Sequence, residues 1–221
     1  MSEKEVHSMK EIYDRFSEFL QAEDKSGAIL YALDLLDKGS IKIPELYEQV
    51  LGPLLNVMHC PEKDETCIWR EHVRTSIVRS IIEVAYPYVI KAKQTPDFVM
   101  TGLKVLVVCP TEEYHEIGAR MAADFFELAG FSTTFVGANT PEKDILSAVQ
   151  NLHPQFVAIS VTNYYNLFKA KTVIDSILVQ DPSIKILLGG SAFQDPRHVE
   201  CVHGCRVDRF ADIVALAKGD L

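Results

Sequence analysis

At about residue 93 the hydrophobic pattern of the chain changes period, and no other feature constrains the fold as much. Before that point apolar residues recur at steps of three and four, the spacing that lines one face of an α-helix. Met9, Ile12, Tyr13, Phe16, Phe19 and Leu20 form the first such stripe. Ser26 stands as an N-cap ahead of Ile29, Leu30, Leu33 and Leu36, and Gly39 ends that helix. Pro44 suits the first turn of a third helix carrying Leu46, Tyr47, Val50, Leu51, Leu54 and Leu55. A fourth runs from Cys67 through Val73, Ile77, Ile81, Val84 and Tyr88, with a bend expected near Pro87. Four such stripes with short connections predict a four-helix bundle over residues 1–93.

The polar stretch Lys93-Gln-Thr-Pro-Asp97 breaks the period, and residues 94–101 read as a linker. From Leu103 onward short β-branched runs appear at Lys104–Cys109, Thr133–Val136, Phe156–Val161 and Lys185–Leu188, with a weak fifth at Arg206–Asp208. Helical stretches lie between them, near 116–129, 141–151, 165–179 and 209–218. Alternating strand and helix predict an α/β domain over residues 102–221, a doubly wound parallel sheet with helices on both faces.

Composition narrows the function classes. With 31 acids against 22 bases the net charge is −9, which argues against direct nucleic-acid binding. No apolar run approaches the ~20 residues of a membrane span. The polar N-terminal stretch does not read as a secretory signal, and an odd count of 5 cysteines points to free thiols in a reducing, cytoplasmic setting. The cluster His198-x-x-Cys201-x-His203-x-Cys205 holds zinc-type ligands but matches no standard zinc spacing, so a structural role is the better reading.

Ligands of an open α/β sheet sit beyond the carboxyl ends of its strands, where the strand order reverses. Three stretches would meet on that edge: Pro110-Thr-Glu-Glu-Tyr-His115-Glu-Ile-Gly118, Ser160-Val-Thr162-Asn163 and Gly189-Gly190-Ser191. His115 can ligate a metal through one ring nitrogen while a partner holds the other. Glu113 is the candidate partner, and Ser160 is a candidate to complete the relay. No GxGxxG or GxxxxGK[ST] follows the first strand, which disfavours dinucleotide and P-loop readings. The first strand ends in Cys109 and Pro110 rather than the Asp of a phosphorylated receiver.

On these residues the chain resembles the cobalamin-binding Rossmann-like domains. Glu-Tyr-His115-Glu-Ile-Gly118, Ser160-Val-Thr162 and Gly189-Gly190 are similar to that family's ordered signature of Asp-x-His-x-x-Gly, Ser-x-Leu and Gly-Gly. Leu-Ala-Gly-Phe131, Val-Gly137 and Thr-Pro-Glu142 fall in their family places. Ahead of them, Leu46-Tyr-Glu-Gln-Val-Leu-Gly-Pro53 and Glu71-His72-Val-Arg-Thr75 resemble the helical cap over the upper corrin face. The resemblance spans roughly residues 10–218.

It implies cobalamin as cofactor. His115 would displace the dimethylbenzimidazole base and bind cobalt from below. The nucleotide tail would descend beside Gly118, Ser160, Thr162, Gly189 and Gly190. Glu113 stands where the family has Asp, one methylene longer, and Thr162 stands where it has Leu. The sensory kind of cap carries a Trp ten residues before its Glu-His pair; that position here is Pro61. The one tryptophan, Trp69, either approaches the upper face from another direction or packs between helices, and Glu71 and His72 are candidates to reach the upper ligand.

Two functions follow from the resemblance. The preferred one is a sensory or regulatory module that signals through a protein partner, because the cap text is nearest that of B12-dependent regulators. The alternative is a corrinoid subunit that carries methyl groups between methyltransferase partners. Neither is itself an enzyme by this reading. The upper ligand (adenosyl, methyl or hydroxo) is left open, and so is a homodimer.

Overall fold

A computed structural model describes residues 8–57, 67–200 and 202–220, and the chain divides into two compact units, Met1–Lys91 and Ala92–Leu221. In the first unit α1 spans Met9–Gln21 and α2 spans Lys25–Asp37. Ser8 and Glu11 form a reciprocal capping box that satisfies two otherwise orphaned N–H groups at the start of α1. The cap of α2 differs from the expected Ser26. It is Asp24, whose carboxylate accepts from Gly27 N–H at 2.8 Å, and Ser26 lies inside the helix. Both residue types suit an N-cap, but Asp24 reaches the first turn from two residues earlier.

The third stripe forms one continuous rod of α3 (Ile43–Glu45), a π-helical segment (Leu46–Leu51) and α4 (Gly52–Val57), with Pro44 in its first turn. Leu46, Val50 and Leu54 are spaced by four residues, which drifts about 40° per step on a 3.6-residue turn. Wider π turns counter that drift, and all three side chains are buried. The long α5 spans Cys67–Ala92 and carries Pro87 internally, while burying Ile77, Val78, Ile81, Ile82 and Val89.

In the second unit the strands are β1 (Lys104–Pro110), β2 (Ser132–Thr140), β3 (Phe156–Ser160), β4 (Lys185–Gly189) and β5 (Cys205–Arg206). All pairs are parallel, in the order β2-β1-β3-β4-β5. The order reverses between β1 and β3, the switch point at which such sheets bind ligands. Helices α6 (Ile117–Leu128), α7 (Glu142–Leu152), α8 (Leu167–Gln180) and α10 (Phe210–Lys218) fall where the pattern placed them. The short α9 (Pro196–Glu200) is an addition; it buries no side chain and so leaves no periodic mark.

Side chains alternate across the strands, so both faces need cover. Leu106, Val108, Val157, Ile159, Ile186 and Leu188 pack with Ile145, Val149, Val173, Ile174 and Ile177 of α7 and α8. Elsewhere in the unit Phe131 stands edge-on to both Phe126 and Phe156, at 5.3 and 5.7 Å between ring centres. At the start of the second unit, Thr95 and Phe98 close successive turns, and Thr101 bonds to Gly130 through both its N–H and its hydroxyl. Among the described residues no helix is long and apolar enough to cross a membrane.

Candidate functional site

The loop after β1 is held in an unusual backbone path. Glu112 adopts φ +67°, and its N–H donates to the Asn139 side chain at 2.8 Å, while Asn139 N–H donates back to Glu113 O at 2.9 Å. This pair fixes the loop against the end of β2 and turns the Glu113 side chain inward. Glu113 is 0% exposed.

Each oxygen of that carboxylate has its own set of donors. Oε1 faces His115 Nδ1 at 2.6 Å and accepts from His115 N–H at 3.0 Å. Oε2 accepts from Thr162 N–H and Asn163 N–H, each at 3.0 Å, and from the Asn166 amide at 3.2 Å. Burial pushes the Glu113 carboxyl upward, but His115, the Asn163 N–H, the His115 N–H and Asn166 together outweigh it and hold the group at about 2. An ionised carboxylate accepts only, so Nδ1 is the ring nitrogen that donates and Nε2 is the one left to other partners. The ring itself is 56% exposed, so the anchored imidazole presents Nε2 at the sheet edge.

The extra methylene of Glu113 is therefore accommodated, since the relay contact to His115 is short. The far end of the relay differs from expectation. Asn166, buried in the first turn after β3, occupies the place given to Ser160. The Ser160 hydroxyl bonds instead to Cys109, whose thiol is pushed up to about 12 by burial and by the charges of Glu113 and Glu116. Asn166 lies 53 residues from Glu113, and nothing local in the sequence marks the pair.

The third stretch closes on the second through backbone bonds. Val161 N–H donates to Gly189 O at 2.9 Å, Ala192 N–H to Val161 O at 3.1 Å, and the Ser191 hydroxyl to Thr162 O at 3.1 Å. The three glycines differ in what they permit. A Cβ on Gly190 would lie 2.3 Å from Val161 O at φ +95°, so that glycine is required for the loop to close. A Cβ on Gly118 would meet nothing within 4 Å, and one on Gly189 would meet only Val207 O at 3.8 Å. These two positions are open space beside the strand ends.

Trp69, Glu71 and His72 lie in the other unit, in the first two turns of α5. Trp69 is 50% exposed, with the Arg70 guanidinium 5.3 Å from its ring centre, so it is not packed between helices. His72 is exposed and Glu71 half-buried. Pro61 and the loop 59–66 lie outside the described residues, as does Cys201. His198 Nδ1 lies 2.7 Å from Ala192 O, and among the described residues no group of three His, Cys, Asp or Glu is placed to hold a metal.

Comparison with known proteins identifies the family of the second unit. A model of the B12 binding domain matches residues 103–213. The HTH-type transcriptional repressor CarA of Myxococcus xanthus is 23% identical over 121 residues, 55% of this chain; the chain spans 40% of that relative's length. The monomethylamine corrinoid protein of Methanosarcina barkeri superposes with a TM-score of 0.78 at 16% identity, covering 97% of this chain and 100% of that one. A cobalamin-binding protein of Desulfitobacterium hafniense covers 93% of this chain and 97% of its own, at 15% identity and a TM-score of 0.49.

The donor set fits the cofactor that the B12 binding domain names. An imidazole with a fixed Nδ1 proton is a metal ligand, and open space at Gly118 and Gly189 is what a descending nucleotide tail requires. The chain belongs to the B12-binding domain family, and its cofactor is cobalamin.

Proposed function

We propose that the chain holds cobalamin with the cofactor's own base displaced and His115 as the lower ligand of cobalt, and that it acts as a sensory or regulatory module on a protein partner. The observation that carries the first half is the buried Glu113 carboxylate, which orients the His115 ring through Nδ1 and leaves Nε2 as the nitrogen placed to ligate. Gly118, Ser160, Thr162 and Gly189 border the path of the nucleotide tail, and Gly190 holds that path open by allowing the loop to close. Bound cobalamin supplies the cobalt–ligand chemistry. The helical unit (residues 1–93, joined by 94–101) serves as the cap, with Trp69, Glu71 and His72 as its ligand-facing residues. Two free thiols, buried Cys109 and exposed Cys205, support a cytoplasmic setting.

Support for the regulatory half comes from the Glu71-His72 pair and from the similarity to a transcriptional repressor. Its test compares adenosyl- with hydroxo-cobalamin, in the dark and after illumination, by protease sensitivity of residues 94–101 and by sizing. A difference between forms that disappears in a Glu71→Ala/His72→Ala variant is the expected result. Reconstitution of His115→Ala tests the first half: the histidine-bound spectrum is lost and retention weakens. Unchanged spectra in that variant would sink the assignment.

A second reading is the methyl carrier. It is favoured by the fold, which matches a corrinoid protein over nearly the whole of both chains. If the cofactor forms behave alike and the loaded protein passes a methyl group to a thiol acceptor through an added methyltransferase, this reading replaces the first.

A further inference from the structure

Among the described residues the second unit exposes four aromatic side chains, and all four follow β1 or β3 at the switch point: Tyr114, Tyr164, Tyr165 and Phe168. Tyr164 and Tyr165 form a pair, with ring centres 4.0 Å apart and planes tilted by 33°. Their hydroxyls bond to each other, which raises the Tyr164 phenol above its ordinary value. The two residues are 55% and 72% exposed. The pair is nevertheless held in place. Both tyrosines sit in the 3₁₀ turn Tyr164–Asn166, where Tyr165 N–H donates to the Asn163 side chain at 3.1 Å and Asn166 N–H to Asn163 O at 2.9 Å. Asn163 and Asn166, on either side of the pair, both donate to Glu113 Oε2, and the other oxygen of that carboxylate faces His115 Nδ1. The carboxylate that orients His115 therefore fixes the tyrosine turn as well. Aromatic side chains clustered in water on a fixed turn mark a surface that binds something.

The corrin macrocycle is much wider than an imidazole, and its rim carries methyl and carboxamide groups. A carboxamide offers both a donor and an acceptor. Phenol hydroxyls match both, whereas a carboxylate only accepts and an ammonium only donates. Lys169, just past the turn, pairs with Glu112, so its charge is met within the protein. We propose that Tyr164 and Tyr165 form a platform for the rim of the corrin, their rings covering its methyl groups and their hydroxyls meeting a carboxamide. The inference rests on His115 as the lower ligand of cobalt. It adds two residues that hold the ring itself rather than the nucleotide tail.

The experiment titrates the full chain, in the dark, with methylcobalamin and with methylcobinamide, which lacks the nucleotide tail, and follows the absorption spectra. Tyr164→Ala/Tyr165→Ala should bind both ligands on the order of 10-fold more weakly, yet show the histidine-bound spectrum once saturated. Tyr164→Phe/Tyr165→Phe should recover the share that belongs to the rings. A loss confined to methylcobalamin assigns the pair to the tail, and unchanged affinity for both ligands removes it from the site; either result overturns the proposal. A second readout needs no variant. Brief nitration with peptide mapping should mark Tyr165 in the apo protein and spare it in both loaded forms, and equal nitration of apo and loaded protein would overturn the platform. His115→Ala, saturated at a higher methylcobalamin concentration, should lose the histidine-bound spectrum and still shield Tyr165. A wild type that shields Tyr165 without a histidine-bound spectrum sinks the lower ligand and supports the platform, so the two assignments fail separately.

Discussion

Asn166 donates its side-chain amide to Glu113 Oε2 at 3.2 Å and to the Glu112 carbonyl at 3.1 Å. One buried side chain thus ties the loop after β1 to the turn after β3, across the point where the strand order reverses. Asn166→Ala should destabilise the apo protein by about 1–3 kcal/mol, because the buried Glu113 carboxylate and the Glu112 carbonyl each lose a donor. Urea denaturation measures it. Asn166→Asp should cost more, since it sets a second carboxylate against Glu113.

Glu113→Gln cannot satisfy both of its sides. With its carbonyl toward His115, the amide N–H₂ confronts Thr162 N–H, Asn163 N–H and the Asn166 amide; turned over, it confronts His115. Cobalamin affinity should fall on the order of 10–100-fold, as for other changes behind a metal-ligating histidine. Spectral titration against wild type checks this, and equal affinity would mean that ring orientation is set elsewhere.

The same carboxylate makes stability depend on acid. Its native value of about 2 lies below the ordinary 4.5, so its contribution is complete above pH 4.5 and is lost as pH falls from there through 2. The amount is on the order of 3 kcal/mol at 1.36 kcal/mol per unit. Urea midpoints of the apo protein over that window should decline in wild type, and the decline should be shallower in Glu113→Gln.

Substitutions at the three glycines should separate by mechanism. Gly190→Val should prevent folding, because its Cβ would collide with Val161 O in a left-handed backbone. Gly118→Val and Gly189→Val should fold and yet reject cobalamin. A corrinoid lacking the nucleotide tail should still bind both. If Gly189→Val takes intact cobalamin normally, the tail does not pass there.

Cys109 and Cys205 should differ in thiol labelling. Burial, reinforced by Glu113 and Glu116, holds the Cys109 thiol at about 12, so it stays protonated and shielded at any pH the fold survives. Cys205 is exposed. Peptide mapping after brief alkylation should find Cys205 modified and Cys109 intact until the protein is unfolded.

The sheet and most helices could be read from the sequence because each leaves a periodic trace: β-branched runs for strands, steps of three and four for helices. The site was legible in part for a different reason. His115 and Glu113 are two residues apart in one loop, and strand-end placement follows from topology. Asn166 escaped because a contact across 53 residues has no local signature, and Ser160 was the nearer hydroxyl to suspect. For Trp69 a helical position allowed either packing or a free face, and the ring stands half exposed. Glycines 118, 189 and 190 look alike in a motif, and only coordinates distinguish the one that the backbone needs from the two that leave room.

The π-helical segment Leu46–Leu51 also sets a phase. Each widened turn spends one residue more than an α-helix would, so everything after it is rotated by roughly 100° about the rod axis relative to an uninterrupted helix. Leu54, three residues past the segment, is buried with that offset in place. Deleting a single residue between 46 and 51 would let ordinary turns re-form and leave Leu54 facing almost the same way, since the extra residue is what the wider turns absorb. The π turns therefore let this segment carry one residue more than an α-helix would while keeping the helix after it in phase with the core.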